Sequence, residues 1–437
     1  MELPVSNSNV KKREIFGWAM YDFANSSYTT VVITFIYSAF FISQIVPADS
    51  QMRDSYWSIT IIVSTLLSVI LAPILGAFAD YRGNKKKQLA VLTAISVIFT
   101  GSLFFVNPGE IGLGITLLVC SNTAWMLSEN VIASFLPEIS TSRTIGRISG
   151  IGWGVGYIGG LLSLLLMMGI ISSNAEQNLT LYINQHQMAM VVLAIFYFVA
   201  ALPTFIFLKE QPSQHHHKEA NTELLLRASV SRVLNMMALM KDHPTLFRFF
   251  IPFTVYSAGI AVIVKFFGIY ASEELAINGS FLLAIGAILQ VAAMIGALSF
   301  GVLQDKIGAE FTLKVSLIIW IFAISAIYFL DHLAGFFALA IPHMFMVIAF
   351  IAGSALGATQ SASRAVVGLI TKTKDVSLSF GLWGVFGKFA IVLGMLFGPI
   401  ADMVGRHSAL LVVILYFFAG LLLLKLVAFD DLQNKKR

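Results

Sequence analysis

Four ionisable side chains stand deep inside apolar runs. Asp22 lies in WAMYDFANSSY (18–28), Glu129 in WMLSENVIASFLPEIS (125–140), Lys265 in AVIVKFFGIY (261–270) and Lys388 in GVFGKFAIVLG (384–394). Charges at membrane depth are costly, and they face a cavity or one another when they occur. A carboxylate in a low-dielectric cavity holds its proton more tightly than one in water, which suits proton coupling. A lysine in such a place can receive the carboxylate of a solute. The polar neighbours able to assist are Asn25, Asn130, Tyr256, Gln290 and Trp383. Each candidate has a plainer alternative. Asp22 could fix its own helix by accepting hydrogen bonds from Trp18, Asn25 or Ser26. Glu129 could pair with Arg143 or Arg147. Lys265 could snorkel towards the nearer span end, and the supporting groups could be helix packing.

Other chemistry is thin. The chain has no G-x-x-x-x-G-K-[ST] phosphate loop and no H-E-x-x-H. GIGWGVG (150–156) has closely spaced glycines, but it lies in an apolar helix with no strand before it, so a dinucleotide site is excluded. HHH (215–217) lacks a cysteine or carboxylate cluster to complete a metal site and reads as solvated linker. The lone Cys120 can form no intrachain disulfide and reads as a small packed hydrophobe. No catalytic residue, cofactor or metal is expected, and the chain is not read as an enzyme.

The elements that must position these residues follow from composition. Hydrophobic residues make up 57% of the 437 and charged residues 12%, about half the ~25% of a soluble domain. The apolar residues gather in blocks of roughly 20–30, long enough to cross a hydrocarbon core of about 30 Å as helices. The expected fold is an all-α polytopic membrane protein. Twelve spans are expected: 16–46, 56–79, 88–106, 111–134, 148–171, 188–208, 246–271, 279–303, 311–330, 335–358, 377–401 and 408–428. The first follows KKR (11–13) and is too long for a signal peptide's apolar core, so it is read as uncleaved.

Placing the N-terminus in the cytoplasm puts KKR, YRGNKKK (81–87), Arg143, Arg147, the 209–245 linker, Lys306, Lys372, Lys374 and the terminal KKR inside. Only Arg53 and Arg406 then remain outside. That asymmetry obeys the positive-inside rule. It accounts for the net charge of +5 without nucleic acid, and it predicts cytoplasmic N- and C-termini. The domains are expected to be an N-terminal six-helix bundle (1–208), a cytoplasmic linker with an amphipathic helix over 222–241 (209–245), and a C-terminal six-helix bundle (246–437).

An internal repeat supports the division. Gly76, Asp80 and Gly83 of GAFADYRG match Gly301, Asp305 and Gly308 of GVLQDKIG at one offset of 225 residues. Each stretch follows the second span of its half. Glycines permit a tight bend there, and an aspartate at a helix end can pair with an arginine or cap the next helix.

These features resemble the major facilitator superfamily. The glycine–aspartate–glycine turn, with Arg82 and the lysines that follow, is similar to that superfamily's signature loop; the second copy is weaker, with Lys314 alone in AEFTLK. GWAMYDFANSSYTTVV (17–32), LPEIS (136–140) and ISGIGWGVGYIGG (148–160) resemble the branch that includes the autophagy-related vacuolar effluxer and its bacterial relatives. Gly152, Gly156, Gly159 and Gly160 also hold the glycine spacing of the superfamily's antiporter signature, with Tyr157 where that signature has proline. The alternative is close helix packing by small residues.

The resemblance implies two six-helix bundles working by alternating access, with helices one, four, seven and ten lining a central cavity. Asp22 and Glu129 would then be its anionic groups and Lys265 and Lys388 its cationic ones. Gly76, Asp80, Arg82, Gly83, Gly301, Asp305 and Gly308 would serve gating. A secondary transporter of a small polar solute is expected, an amino-acid-like zwitterion ahead of others, proton-coupled and with efflux favoured. The alternatives are a drug or siderophore exporter of the same fold, or a lipid scramblase or flippase. The expected partners are the solute, the bilayer and a proton gradient, acting on a monomer. The expected location is a bacterial inner membrane, or a vacuolar membrane in a eukaryote.

Overall fold

The computed structural model describes residues 12–82, 84–140, 145–173, 175, 177–210, 231, 244–370 and 376–427. Within these, the side chains of 77–82, 137, 145–147, 149, 301, 302, 305, 306, 309, 365, 368, 369, 376–378 and 380 lie outside the description. An apolar run in hydrocarbon must satisfy every backbone N–H and C=O internally, and the helix does so. Twelve helical segments among the described residues are long and apolar enough to cross a membrane.

They are built on α1 (Lys12–Tyr28), α2 (Arg53–Arg82), α3 (Lys85–Ser102), α4 (Ile111–Ala133), α5 (Ile145–Ile170) and α6 (Leu179–Phe207). The second half supplies α7 (Pro244–Glu273), α8 (Gly279–Ile307), α9 (Ala309–Tyr328), α10 (Ile341–Ile370), α11 (Val376–Gly394) and α12 (Arg406–Leu423). The largest departures from the expected boundaries are at the start of the sixth helix and the end of the tenth. The sixth helix starts at Leu179, because Asn178 caps it by accepting from Leu181 N at 3.0 Å. The tenth runs on to Ile370, since ATQSASRAVV continues the helix on small residues after the apolar run ends.

The first span is not a uniform α-helix. After Tyr28 come a π-helical stretch (Thr29–Phe35), a short α turn (Tyr37–Phe40) and a second π stretch (Phe41–Ile45). Ile36 N bonds Val31 O and Val46 N bonds Phe41 O, each at 2.9 Å and five residues back. The Thr34 hydroxyl adds a bond to Thr29 O, also five residues back. Widened turns of this kind re-aim the side chains beyond them.

The chain forms two compact units. One comprises Met1–Pro47 with Thr60–Asn235, the other Ala48–Ile59 with Met236–Arg437. The first turns of α2 therefore belong to the second unit. In unit 1, α1 packs on α5 and α6, and α3 on α4 and α6. In unit 2, α7 packs on α11 and α12, and α9 on α10 and α12. The second set of pairs is the first moved on by six helices, a structural counterpart of the sequence repeat.

Candidate functional site

In unit 1 the site grows from the register of α1 against α4. Trp18 Nε1 donates to Ile132 O at 3.0 Å. Two turns on, Asn25 Nδ2 donates to the Glu129 carboxylate, and Trp125 Nε1 donates to the Asn25 carbonyl at 3.2 Å. One turn further, the Tyr28 hydroxyl meets Ser121 Oγ at 2.9 Å and its ring stacks on Trp125, centroids 5.7 Å apart. As α1 advances from 18 to 28, α4 runs back from 132 to 121, so the helices are antiparallel and pinned at three levels. Asn25 is buried, and its Oδ1 finds no hydrogen-bond donor among the described residues.

Asp22 sits on the adjoining stripe of α1, which faces α5. A methyl group at Gly152 would overlap the Asp22 carboxylate and lie 2.6 Å from the Trp18 ring. One at Gly156 would lie 2.8 Å from Ser26 Oγ, and one at Gly159 would overlap the Phe23 carbonyl. Three glycines thus let α5 close onto α1, as small residues do between membrane helices. The packing alternative for this motif is realised, and the motif also holds Asp22 in place. Of the donors weighed for Asp22, Trp18 Nε1 and Asn25 Nδ2 are directed to α4. The structure brings Asn25 and Glu129 into contact and sets Asp22 within one turn of Asn25. Asn130, by contrast, is exposed.

In unit 2, Tyr256 of α7 is fully buried and hydrogen-bonds Ser363 of α10 at 2.7 Å. Its ring meets Phe253, which in turn faces Trp383 of α11, centroids 5.7 and 5.8 Å apart. Tyr256 and Trp383 therefore share one aromatic cluster. Lys265 stands nine residues on from Tyr256, roughly 13 Å along the helix. It is 5% exposed, so it does not snorkel to the surface. Trp57 Nε1 donates to its carbonyl at 2.9 Å. Lys388 is half-buried on α11, five residues beyond Trp383. Gln290 is half-buried on α8, beside the stretch where Gly353 and Gly357 of α10 admit the backbone of Leu289 and Ala293.

Of the expected signature loop, Gly83 and the side chains of Asp80, Arg82, Gly301 and Asp305 lie outside the described residues, as do Arg143 and the side chain of Arg147. Linker residues 215–217 and the expected helix over 222–241 are outside too, save residue 231. Gly76 is half-buried. Gly308 joins α8 to α9 at φ 89°, a conformation that favours glycine.

Comparison with known proteins decides the family. The chain matches the family described as "Vacuole effluxer Atg22 like" over residues 46–436. It belongs to that family. An MFS-type transporter of Bacillus subtilis (strain 168), YxiO, is 25% identical over 416 residues, 94% of each chain. Autophagy-related protein 22-1 of Aspergillus fumigatus is 22% identical over 328 residues, 71% of this chain and 52% of that one. Two solved structures share the fold. The nucleoside transporter NupG (D323A mutant) has TM-score 0.67 at 15% identity, covering 96% of this chain and 100% of its own. A bacterial homolog to the human lysosomal transporter Spinster, inward-facing, has TM-score 0.70 at 12% identity, covering 97% and 99%. This Atg22-like chain is an integral multi-pass membrane protein of the major facilitator superfamily, a secondary transporter and not an enzyme.

Several polar contacts of the Atg22-like transporter escaped the sequence reading. Arg364 of α10 lies over the Trp383 ring, 5.6 Å from its centroid. The signal was an arginine in SASRAVVG, overlooked because the tenth span was ended at 358. At one end of unit 2, Arg406 Nε bonds Asp54 Oδ2 at 2.8 Å, and Arg53 bonds Glu273 at 2.7 Å. Asp402 accepts from the backbone N–H groups of Asp54 (3.0 Å) and Ser55 (2.8 Å), capping α2 from a distant part of the chain. In unit 1, Glu210 accepts from the N–H groups of Lys85 (2.6 Å) and Lys86 (3.2 Å). Its carboxylate offsets three lysines crowded at the positive end of α3. Lys85 Nζ bonds Glu138 at 2.6 Å, which ties the lysines of the expected signature loop to the LPEIS motif.

Proposed function

We propose that this transporter exports an amino-acid-like zwitterion in exchange for protons, across a bacterial inner membrane and with both termini in the cytoplasm. The observation that carries the reading is the grouping of Asp22, Asn25 and Glu129 on two adjoining helices of unit 1. Two carboxylates held inside a bundle cannot both stay charged cheaply, since like charges in a low-dielectric setting raise each other's cost. One proton shared by such a group changes its charge, and a solute ammonium can take that proton's place. Asn25 Oδ1, buried and without a donor among the described residues, is an acceptor for the ammonium N–H. Within unit 2, taken by itself, Lys388 of α11 is a half-buried cation. The effluxer description of the family supports the direction, the bacterial relative supports the location, and the distribution of lysine and arginine supports the orientation.

The test is transport by vesicles containing the purified protein. Labelled amino acids should accumulate against their gradient when a pH gradient is imposed, and a proton ionophore should abolish the accumulation. Accumulation that is indifferent to the ionophore contradicts proton exchange. A panel of amino acids that fails to move, while a nucleoside or a sugar moves, contradicts the substrate class.

A further inference from the structure

An ammonium inside a membrane protein is unfavourable unless an anion compensates it. Lys265 has no such compensation. It is 5% exposed and stands eight residues before the end of α7, roughly 12 Å along the helix. Among the described residues its ammonium has neither an acidic partner nor a hydrogen-bond acceptor. The acids on the segments around it are committed elsewhere. Glu273, at the end of the same helix, bonds Arg53 at 2.7 Å, and Glu274 beyond it is exposed. Asp54, one turn before Trp57 on α2, bonds Arg406 at 2.8 Å. Asp402 accepts from the backbone N–H groups of Asp54 and Ser55. Helices α10, α11 and α12, which pack on α7, contain no acid. The turn that carries the lysine is nevertheless fixed. Trp57, fully buried, donates from Nε1 to the Lys265 carbonyl at 2.9 Å. The next two residues set their rings against different neighbours. Phe266 meets Phe397 of the short helix Phe397–Val404 at 4.8 Å between centroids, and Phe267 meets Phe345 of α10 at 5.4 Å. Three other parts of the chain thus hold the backbone of a charge that none of them neutralises.

A buried ion without a counter-charge is the least favourable arrangement a cation can have. Packing alone gives no reason for it, since methionine would fill a similar length without the charge and adapts to irregular core space. A carrier working by alternating access closes over what it carries and then opens again. An enclosed cation that the protein does not neutralise suits an anion that arrives with each cycle. We propose that Lys265 is the anion site of unit 2 and takes a compact monoanion. Burial to this degree selects a small anion over a bulky one, and an ammonium is a compact point charge that needs no forked partner. A carboxylate and a halide share that chemistry, so the occupant is either the carboxylate of the transported solute or a free anion. The site itself stands on the geometry of unit 2. Only the choice of a zwitterion's carboxylate as its occupant rests on the reading above.

The experiment follows thermal unfolding of the purified full-length protein at one pH and one sodium concentration. A bulky reference anion, 2-(N-morpholino)ethanesulfonate, is replaced stepwise by chloride or acetate. A ligand that binds only the folded state raises the apparent stability with its concentration, so the wild type should melt several degrees higher as a small anion replaces the reference. Lys265→Met should melt above the wild type in the reference anion, because an apolar side chain replaces an uncompensated charge, and it should not respond to chloride or acetate. Lys265→Arg keeps the charge and should respond. L-alanine and L-alaninamide, each added in the reference anion, separate the two sources. A response to L-alanine and not to the amide, lost in Lys265→Met, supports the solute carboxylate as occupant. A response to chloride and acetate without one to L-alanine supports the site with a free anion in it and removes the zwitterion from this residue. A wild type indifferent to chloride, acetate and L-alanine overturns the proposal, as does a response that persists in Lys265→Met. Vesicles that still accumulate amino acids would then leave the zwitterion reading standing. If Lys265→Met does not fold, Lys265→Gln takes its place, and a response retained there overturns the proposal equally.

Discussion

Gly152→Ala is the smallest change that presses on Asp22. The added methyl overlaps the Asp22 carboxylate and lies 2.6 and 2.8 Å from two atoms of the Trp18 ring. Carbon atoms rest at about 3.5–4.0 Å, so the ring must retreat by roughly 1 Å. The bond from Trp18 Nε1 to Ile132 O, 3.0 Å long, then stretches past the useful range. Overpacking of this kind costs ~1–3 kcal/mol, and the weakened hydrogen bond adds ~0.5–1.5 kcal/mol. Alanine recovers ~0.5–1 kcal/mol over glycine in a helix. The net expectation is a loss of about 1–3 kcal/mol. Gly154, two residues on, is the control: an added methyl meets nothing within 4 Å, so Gly154→Ala should be neutral or gain up to ~1 kcal/mol. The assay is thermal unfolding of both variants in one detergent, followed by intrinsic fluorescence. Gly152→Ala should melt several degrees below Gly154→Ala and transport more slowly. Equal melting, or a more stable Gly152→Ala, would refute the close approach of α5 to Asp22.

Other perturbations test the remaining contacts. Arg406→Ala leaves the Asp54 carboxylate, 3% exposed, without its closest cation, and should cost about 3 kcal/mol; adding Asp54→Asn should restore more than half of that melting loss. Glu210→Ala removes the cap from the start of α3 and should lower stability by ~1 kcal/mol in the same assay, whereas Glu210→Gln should lose less.

The twelve spans were legible because hydrocarbon leaves the backbone one economical solution, and apolar runs of sufficient length announce it. The repeat was legible because Gly76, Asp80 and Gly83 recur at one offset, and the helix neighbours recur with them. The π-helical stretches were not, since TTVVITF is apolar whatever its hydrogen-bond period. Asp22 and Glu129 stood out by charge against an apolar background, but the amide joined to Glu129 had no such contrast; Asn25 was one of several polar neighbours until α1 and α4 came into register. Asp402 was hidden by distance, for its partners lie 347 and 348 residues away. Arg364 was hidden by a helix end placed too early. The glycines of α5 showed their spacing without showing which of them meet a neighbour: Gly152 crowds Asp22 and Gly154 meets nothing.

The central proposal, that the group of Asp22, Asn25 and Glu129 carries the coupling proton with Asp22 as its leading member, is tested most directly by Asp22→Asn in vesicles, with two transport modes measured on one preparation. Asparagine keeps the volume and stands in for a permanently protonated carboxyl. The loaded carrier can therefore still reorient, while net proton movement cannot occur. Accumulation driven by a pH gradient should disappear, and exchange of labelled for unlabelled amino acid should continue at close to the wild-type rate. Accumulation at the wild-type level in Asp22→Asn would contradict the account and pass the role to Glu129. Loss of both modes together, with a reduced yield of folded protein, would show Asp22 to be a packing residue against Gly152.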